Sequence, residues 1–191
     1  MFLAIEGVDG VGKTTTAKAM AKRLECVFVE KPFRLLLDGA CETEAYYRIS
    51  GNVNQCSNNV RAWFYGTGML CLSERYNKES IVVDRYFLSN FAWNGSSDNM
   101  NIFDALYQQV RIPDLTVVLT ASDETVFNRL RNRNKNDLDF ANINMNYIRT
   151  KNMLRCLSRY DIPNMIISTD ELTTDQICDR IGERIKTLSY I

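Results

Sequence analysis

A chain of 191 residues is the size of one domain and can bury roughly 70% of the surface that its unfolded form exposes. Lys plus Arg total 23 and Asp plus Glu total 23, so the net charge is zero, which argues against a basic nucleic-acid or anionic-membrane binder. Histidine is absent, so Ser-His-Asp and Cys-His catalysis is excluded, and any zinc site would need cysteines and carboxylates alone. Six cysteines (Cys26, Cys41, Cys56, Cys71, Cys156, Cys178) are scattered without a CxxC pair, as expected of buried, reduced thiols in a cytoplasmic protein. No apolar run approaches the ~20 residues that span a bilayer. The apolar N-terminus meets an acid and glycines too early for a signal peptide.

In chain order, Phe2–Glu6 reads as a buried first strand, followed by a glycine-rich turn and a helix-forming stretch from Ala17 to Leu24. Further short aliphatic runs at Cys26–Glu30, Ser80–Asp84, Leu115–Thr120 and Met165–Ser168 read as strands that are apolar throughout. A helix is predicted after Ser122, with Asp123 and Glu124 in its first turn, where acids suit the helix dipole. The last helix carries Ile177, Ile181, Ile185 and Leu188 on one face, and Thr173 with Gln176 forms a capping box for it. Strands alternating with helices predict a single α/β domain over residues 1–191: about five parallel strands with helices on both faces.

Gly7-Val8-Asp9-Gly10-Val11-Gly12-Lys13-Thr14 matches GxxxxGK[ST] in full, between a strand and a helix. Glycines let the backbone turn and aim successive N–H groups at an anion, and the helix start adds partial positive charge. Lys13 is placed to reach the β- and γ-phosphates, and the Thr14 hydroxyl to ligate Mg²⁺, with Gly7, Gly10, Val11, Gly12 and Thr15 completing the ATP-binding loop. Asp84 ends a buried strand at the carboxyl edge of the sheet, where α/β ligand sites form, and an acid there can hold Mg²⁺ through water. The loop alone specifies a P-loop NTPase fold.

Three segments in order make the chain resemble the thymidylate kinases among the P-loop nucleoside monophosphate kinases: FLAIEGVDGVGKTTT at Phe2–Thr16, VVDRYFLSNFAWNG at Val82–Gly95, and PDLTVVL at Pro113–Leu119. The resemblance covers roughly residues 1–160. It implies ATP-dependent phosphorylation of a deoxynucleoside monophosphate, with dTMP first choice, in a homodimer; the charge balance and cysteine usage above add the expectation of a cytoplasmic protein that binds neither nucleic acid nor membrane. It implies that Arg85 grips the acceptor phosphate, a task suited to a fork of fixed donors. Gly10 stands where some members carry a loop arginine, so the remaining cation is expected from a short lid at about 131–146: Arg129, Arg131 or Arg133, followed by Lys135. Arg129 and Arg133 are four apart and share a helix face. The remainder of that segment, Asn132–Asn146, reads as a polar, mobile loop.

The resemblance also implies that Phe64 stacks on the base, Asn90 bonds a pyrimidine edge, Trp93 packs against the sugar and excludes a 2′-hydroxyl, and Asp9 meets the 3′-hydroxyl. Gly68 stands where the family has a base-contacting arginine, and Glu30-Lys31-Pro32-Phe33 replaces Arg-Glu-Pro-Gly. Ala62–Leu72 is apolar enough for an interface or for core packing. The alternatives are a deoxynucleoside kinase using Glu6 or Glu30 as base, and a non-catalytic nucleotide-binding switch or sensor.

Overall fold

The computed structural model describes residues 1–37, 42–134 and 138–188. Five strands, β1 (Phe2–Gly7), β2 (Val27–Glu30), β3 (Ile81–Asp84), β4 (Leu115–Thr120) and β5 (Asn164–Ser168), form one parallel sheet in the order β2-β3-β1-β4-β5. The helices are α1 (Lys13–Arg23), α2 (Glu42–Val53), α3 (Asn58–Arg75), α4 (Phe87–Asn94), α5 (Met100–Gln109), α6 (Asp123–Arg133), α7 (Asn146–Tyr160) and α8 (Thr174–Leu188). All five predicted strands are present, within one residue of their expected ends.

Alternation along β1 divides the core. Phe2 and Ala4 face a cluster built with α3, α4, α5 and α7, while Leu3 and Ile5 face one built with α1, α6 and α8. Central strands are therefore buried on both faces, as a parallel sheet requires. The edge strands correct the expectation of uniformly apolar, buried strands. Ile166 of β5 is 52% exposed and Val27 of β2 is 41% exposed, because an edge strand has a neighbour on one side only.

The two predicted helix starts are present. Ser122 Oγ accepts the Thr125 N–H, and Thr173 and Gln176 exchange backbone-to-side-chain bonds at 2.9 and 3.3 Å. The lid segment differs from a polar loop: α6 continues through Arg133, and a 3-10 helix spans Leu138–Met145. From this helix Phe140 and Ile143 pack onto the core, and Phe140 meets the Phe127 ring at 5.3 Å. Lys135 and Cys41 lie outside the described residues. Among the described cysteines all five thiols are free, with Cys156 and Cys178 buried. Cys56 is exposed in the α2–α3 connection, against expectation. No helix among the described residues is long and apolar enough to cross a membrane.

Candidate active site

The sheet order brings the carboxyl ends of β1 and β3 side by side, and the segments leaving these two strands form the site. After β1 the chain turns through Gly7, Gly10 and Gly12, whose φ values of 140°, 82° and 96° suit glycine alone at little cost. Gly12 is the left-handed cap from which α1 departs. Lys13, only 5% exposed, donates from Nζ to the Val8 carbonyl oxygen at 2.6 Å, across the loop that it closes. Burial pushes its ammonium down to about 8, with the Arg85 charge adding to the effect and Asp9, Asp84 and Glu6 opposing it. Thr15 is exposed on the first turn of α1.

Asp84 ends β3 at 2% exposure. The Thr14 hydroxyl donates to its Oδ2, while Oδ1 is buried without a hydrogen-bond partner among the described residues. A buried carboxylate oxygen left unsatisfied beside a hydroxyl is the hard-oxygen donor set that Mg²⁺ takes. Thr14 and Asp84 therefore fit the ion.

Arg85 comes next, with φ 69°, a left-handed backbone that costs a non-glycine residue on the order of 1–3 kcal/mol. Two features hold the turn. Arg85 N–H donates to Ile5 O at 3.1 Å, and the fully buried Glu6 carboxylate caps the start of α4. Glu6 Oε1 accepts the backbone N–H groups of Tyr86, Leu88 and Ser89 at 3.0, 2.9 and 3.2 Å, and Oε2 accepts the Ser89 hydroxyl at 2.5 Å. Burial raises the Glu6 carboxyl above its ordinary range, against the pull of those bonds and of Arg85. Glu6 is thus a structural strut, which corrects its reading as a candidate base. Glu30 is engaged as well, by Arg34 at 3.1 Å and Lys31 at 3.6 Å.

The Arg85 guanidinium pairs with Asp9 of the loop, so the two strand ends meet through an ion pair. Burial opposes ionisation of Asp9, yet Arg85, Lys13, Arg149 and Arg133 together hold its carboxyl below the usual range. Arg149 enters from α7, and its guanidinium lies 4.7 Å from the Trp93 ring centre, with that of Arg85 at 5.0 Å. Stacking of this kind suits the planar guanidinium.

From this cationic end a cavity of about 560 Å³ opens between α2, α3, α4 and the 3-10 turn Pro32–Leu36. Asp9, Arg85, Asn90 and Trp93 line it as expected, but Phe64 does not. Phe64 stacks instead on Phe33, with ring centres 3.8 Å apart, and Phe33 is the ring that reaches the cavity. Gly68 gives the physical reason. A side chain there would strike the Phe33 backbone, whose N lies 2.4 Å from an added Cβ. Without a side chain at 68 the turn settles onto α3 and brings Phe33 over Phe64. Asn90 lines the wall, but its Nδ2 donates to Ala62 O at 3.0 Å and its Oδ1 accepts from Asn94 at 2.9 Å. Its amide is committed to the scaffold.

Of the three lid arginines, Arg129 is bound to Thr169, through Oγ1 at 2.8 Å and O at 2.6 Å, and Thr169 Oγ1 in turn donates to Val11 O. Arg129 therefore braces the phosphate loop from outside. Arg133, exposed and one turn further along α6, adds its charge at Asp9, and Arg131 is exposed two residues away, on the other side of the helix. Sequence reasoning missed Arg149, Phe33 and Thr169. No short-range pattern marks them, because each reaches the site by tertiary packing. Glu6 did carry a signal, since a carboxylate inside an apolar buried strand needs partners.

A family model described as an AAA domain (AAA_18) matches residues 3–149. A probable thymidylate kinase of Methanocorpusculum labreanum is 30% identical over 146 residues, 70% of this chain and 72% of that one. Among solved structures, thymidylate kinase from Candida albicans aligns with a TM-score of 0.73 at 20% identity, over 97% of this chain and 91% of that one. Deoxyadenosine kinase from M. mycoides aligns at 0.67 and 18% identity, over 98% and 100%. The chain thus belongs to the thymidylate kinase family, enzymes of the P-loop nucleoside monophosphate kinase class.

Proposed function

We propose that the protein transfers the γ-phosphoryl group of ATP to a deoxynucleoside monophosphate, with dTMP the first choice of acceptor. The observation that carries this reading is the Asp9–Arg85 pair beside buried Lys13. A donor-phosphate loop and a guanidinium suited to a second phosphate face each other across one gap, with the cavity behind. Lys13 and the loop N–H groups neutralise and orient the β- and γ-phosphates. Arg85, released from Asp9, holds the acceptor monophosphate so that its oxygen lies in line with the moving group. Asp9 then accepts a hydrogen bond from the sugar 3′-hydroxyl. Thr14 and Asp84 would hold Mg²⁺, which would supply positive charge to offset that developing on the transferred group. Trp93, with the Arg85 and Arg149 guanidiniums 5.0 and 4.7 Å from its ring centre, forms a wall against a ribose 2′-hydroxyl. Arg133 and Arg149, whose charges act on Asp9, are placed to complete the phosphate cradle.

A nucleoside kinase would need a base at the 5′-hydroxyl. Glu6 is spent on α4 and Glu30 on Arg34, so the monophosphate reading is the stronger one. Exposed Val60 and Trp63 on α3 are compatible with a homodimer that buries this helix. A coupled assay with Mg-ATP against dTMP, dUMP, dCMP, dGMP, dAMP, UMP and thymidine tests the reading. Two diphosphates formed per turnover from a deoxynucleoside monophosphate is the expected result. Phosphorylation of thymidine alone, or nucleotide binding with no turnover, overturns it.

A further inference from the structure

A second cavity, of about 550 Å³, shares no lining residue with the one beside Arg85. It opens between the end of α4, the start of α5 and α7. Phe91 and Gly95, four apart on α4, line it, whereas Asn90, Trp93 and Asn94 of the same helix line the first cavity. On α7, Asn152, Arg155 and Arg159 line it, whereas Arg149 serves the first. The α4–α7 pair therefore carries both cavities, each on its own face. The floor of the second is apolar: Phe91 is buried and Met100, the first residue of α5, is half-buried. Its rim is cationic. Arg159 is shared with Asp104, to which Nη2 donates at 3.0 Å. Among the described residues neither the Arg155 guanidinium nor the Asn152 amide makes a hydrogen bond or ion pair, and no carboxylate lines the cavity. The start of α5 lies at the same rim, where the positive end of its dipole adds to the charge.

We propose that this cavity binds a small organic anion, a phosphate or carboxylate carried on an apolar body. The guanidinium fork of Arg155 matches either oxyanion with two parallel hydrogen bonds, while Arg159 adds charge and the Asn152 amide a further donor. The apolar body covers Phe91 and Met100. Each half needs the other. An exposed arginine alone holds an ion weakly, because water screens the pair. An apolar floor alone gains area but does not choose anions. Together they favour a ligand that carries both parts over one that carries either. The cavity contains none of Lys13, Asp84, Arg85 or the phosphate loop, so its occupant is a ligand additional to the two that meet at the Asp9–Arg85 pair.

NMR titration of the full chain with phenyl phosphate, benzoate, inorganic phosphate and benzyl alcohol tests this, because amide shifts report the two cavities separately. Phenyl phosphate or benzoate is expected to shift the amides of residues 95–101 and 152–159, and the tighter of the two identifies the anionic group. Inorganic phosphate and benzyl alcohol, each lacking one part, should bind there roughly tenfold or more weakly. Arg155 is exposed on α7, so Arg155→Met should leave the rest of the spectrum unchanged while weakening binding roughly 10- to 100-fold. Asn152→Asp, which sets a like charge beside the anion, should weaken it as well. Arg85→Met should leave binding here at wild-type strength, so this result stands whether or not the chain transfers phosphate. Shifts confined to the phosphate loop and the Arg85 cavity overturn the proposal. So does affinity unchanged in both α7 variants, or binding of inorganic phosphate or benzyl alcohol as tight as that of the organic anions.

Discussion

The end of the site proposed to take phosphate and the end proposed to take the base are built by different means. At the phosphate end, Gly7 to Thr14 and Asp84-Arg85 each lie within a few residues of a strand terminus. Their geometry comes from local rules, glycine turns and a helix start, plus one strand pairing between β1 and β3. At the base end, Phe33, Asn54, Arg61 and Tyr65 come from the 3-10 turn, the end of α2 and α3, and only packing of these elements decides which side chain faces inward. The first kind of site survives reading from spacing. The second changes with one glycine.

The sharpest break between the two ends comes from Lys13→Ala. Removing a preorganised charged donor to the transferring group should lower kcat by roughly 10²–10³-fold or more, with monophosphate binding by calorimetry little changed. Arg85→Ala should act on the other substrate. Loss of a charge-assisted bond worth about 1.5–3 kcal/mol predicts a monophosphate KM raised roughly 10- to 100-fold, with the KM for ATP close to wild type. If both variants damaged ATP and acceptor alike, the division of labour across the Asp9–Arg85 pair would be wrong.

At the base end the comparison to make is Phe33→Ala against Phe64→Ala. Stacking on a base is worth about 1–3 kcal/mol, so Phe33→Ala should raise the monophosphate KM roughly 5- to 100-fold. Phe64→Ala removes the ring behind and should cost less in KM, with a measurable drop in melting temperature as its partner loses support. The reverse order of KM effects would restore Phe64 as the stacking ring. This pair also marks how far the sequence was legible. The strands, the two helix starts and the positions of Lys13, Thr14, Asp84 and Arg85 at the strand ends were readable, because each depends on neighbours within a few residues. Phe64 stands behind Phe33 rather than on the cavity wall because Gly68 admits the Pro32–Phe33 backbone, a contact between residues more than thirty apart that no local pattern encodes. Arg129 shares a face with Arg133 as its spacing predicts, yet Thr169 from beyond β5 claims its guanidinium.

A pH dependence, whose effect on stability is the smallest expected, separates binding from folding. Lys13 titrates at about 8 in the folded chain because it is buried, against 10.5 for an exposed lysine. ATP requires the charged form. Affinity for ATP at the free protein should therefore fall by about half at the pKa and about tenfold for each further pH unit, while monophosphate affinity, resting on Arg85, stays level over the same range. Stability moves the other way. Below about 8 the fold bears the full cost of burying a charged ammonium, and between about 8 and 10.5 the unfolded chain holds the proton that the folded chain has released. The Lys13 contribution thus becomes more favourable to the folded state as pH rises, at the same time as the loop loses its grip on phosphate. Titrating ATP affinity and denaturation midpoint side by side from pH 7 to 9.5, with Lys13→Met as the reference that abolishes both slopes, checks the sign of each. Parallel slopes, or slopes that persist in Lys13→Met, would assign the titration to another group.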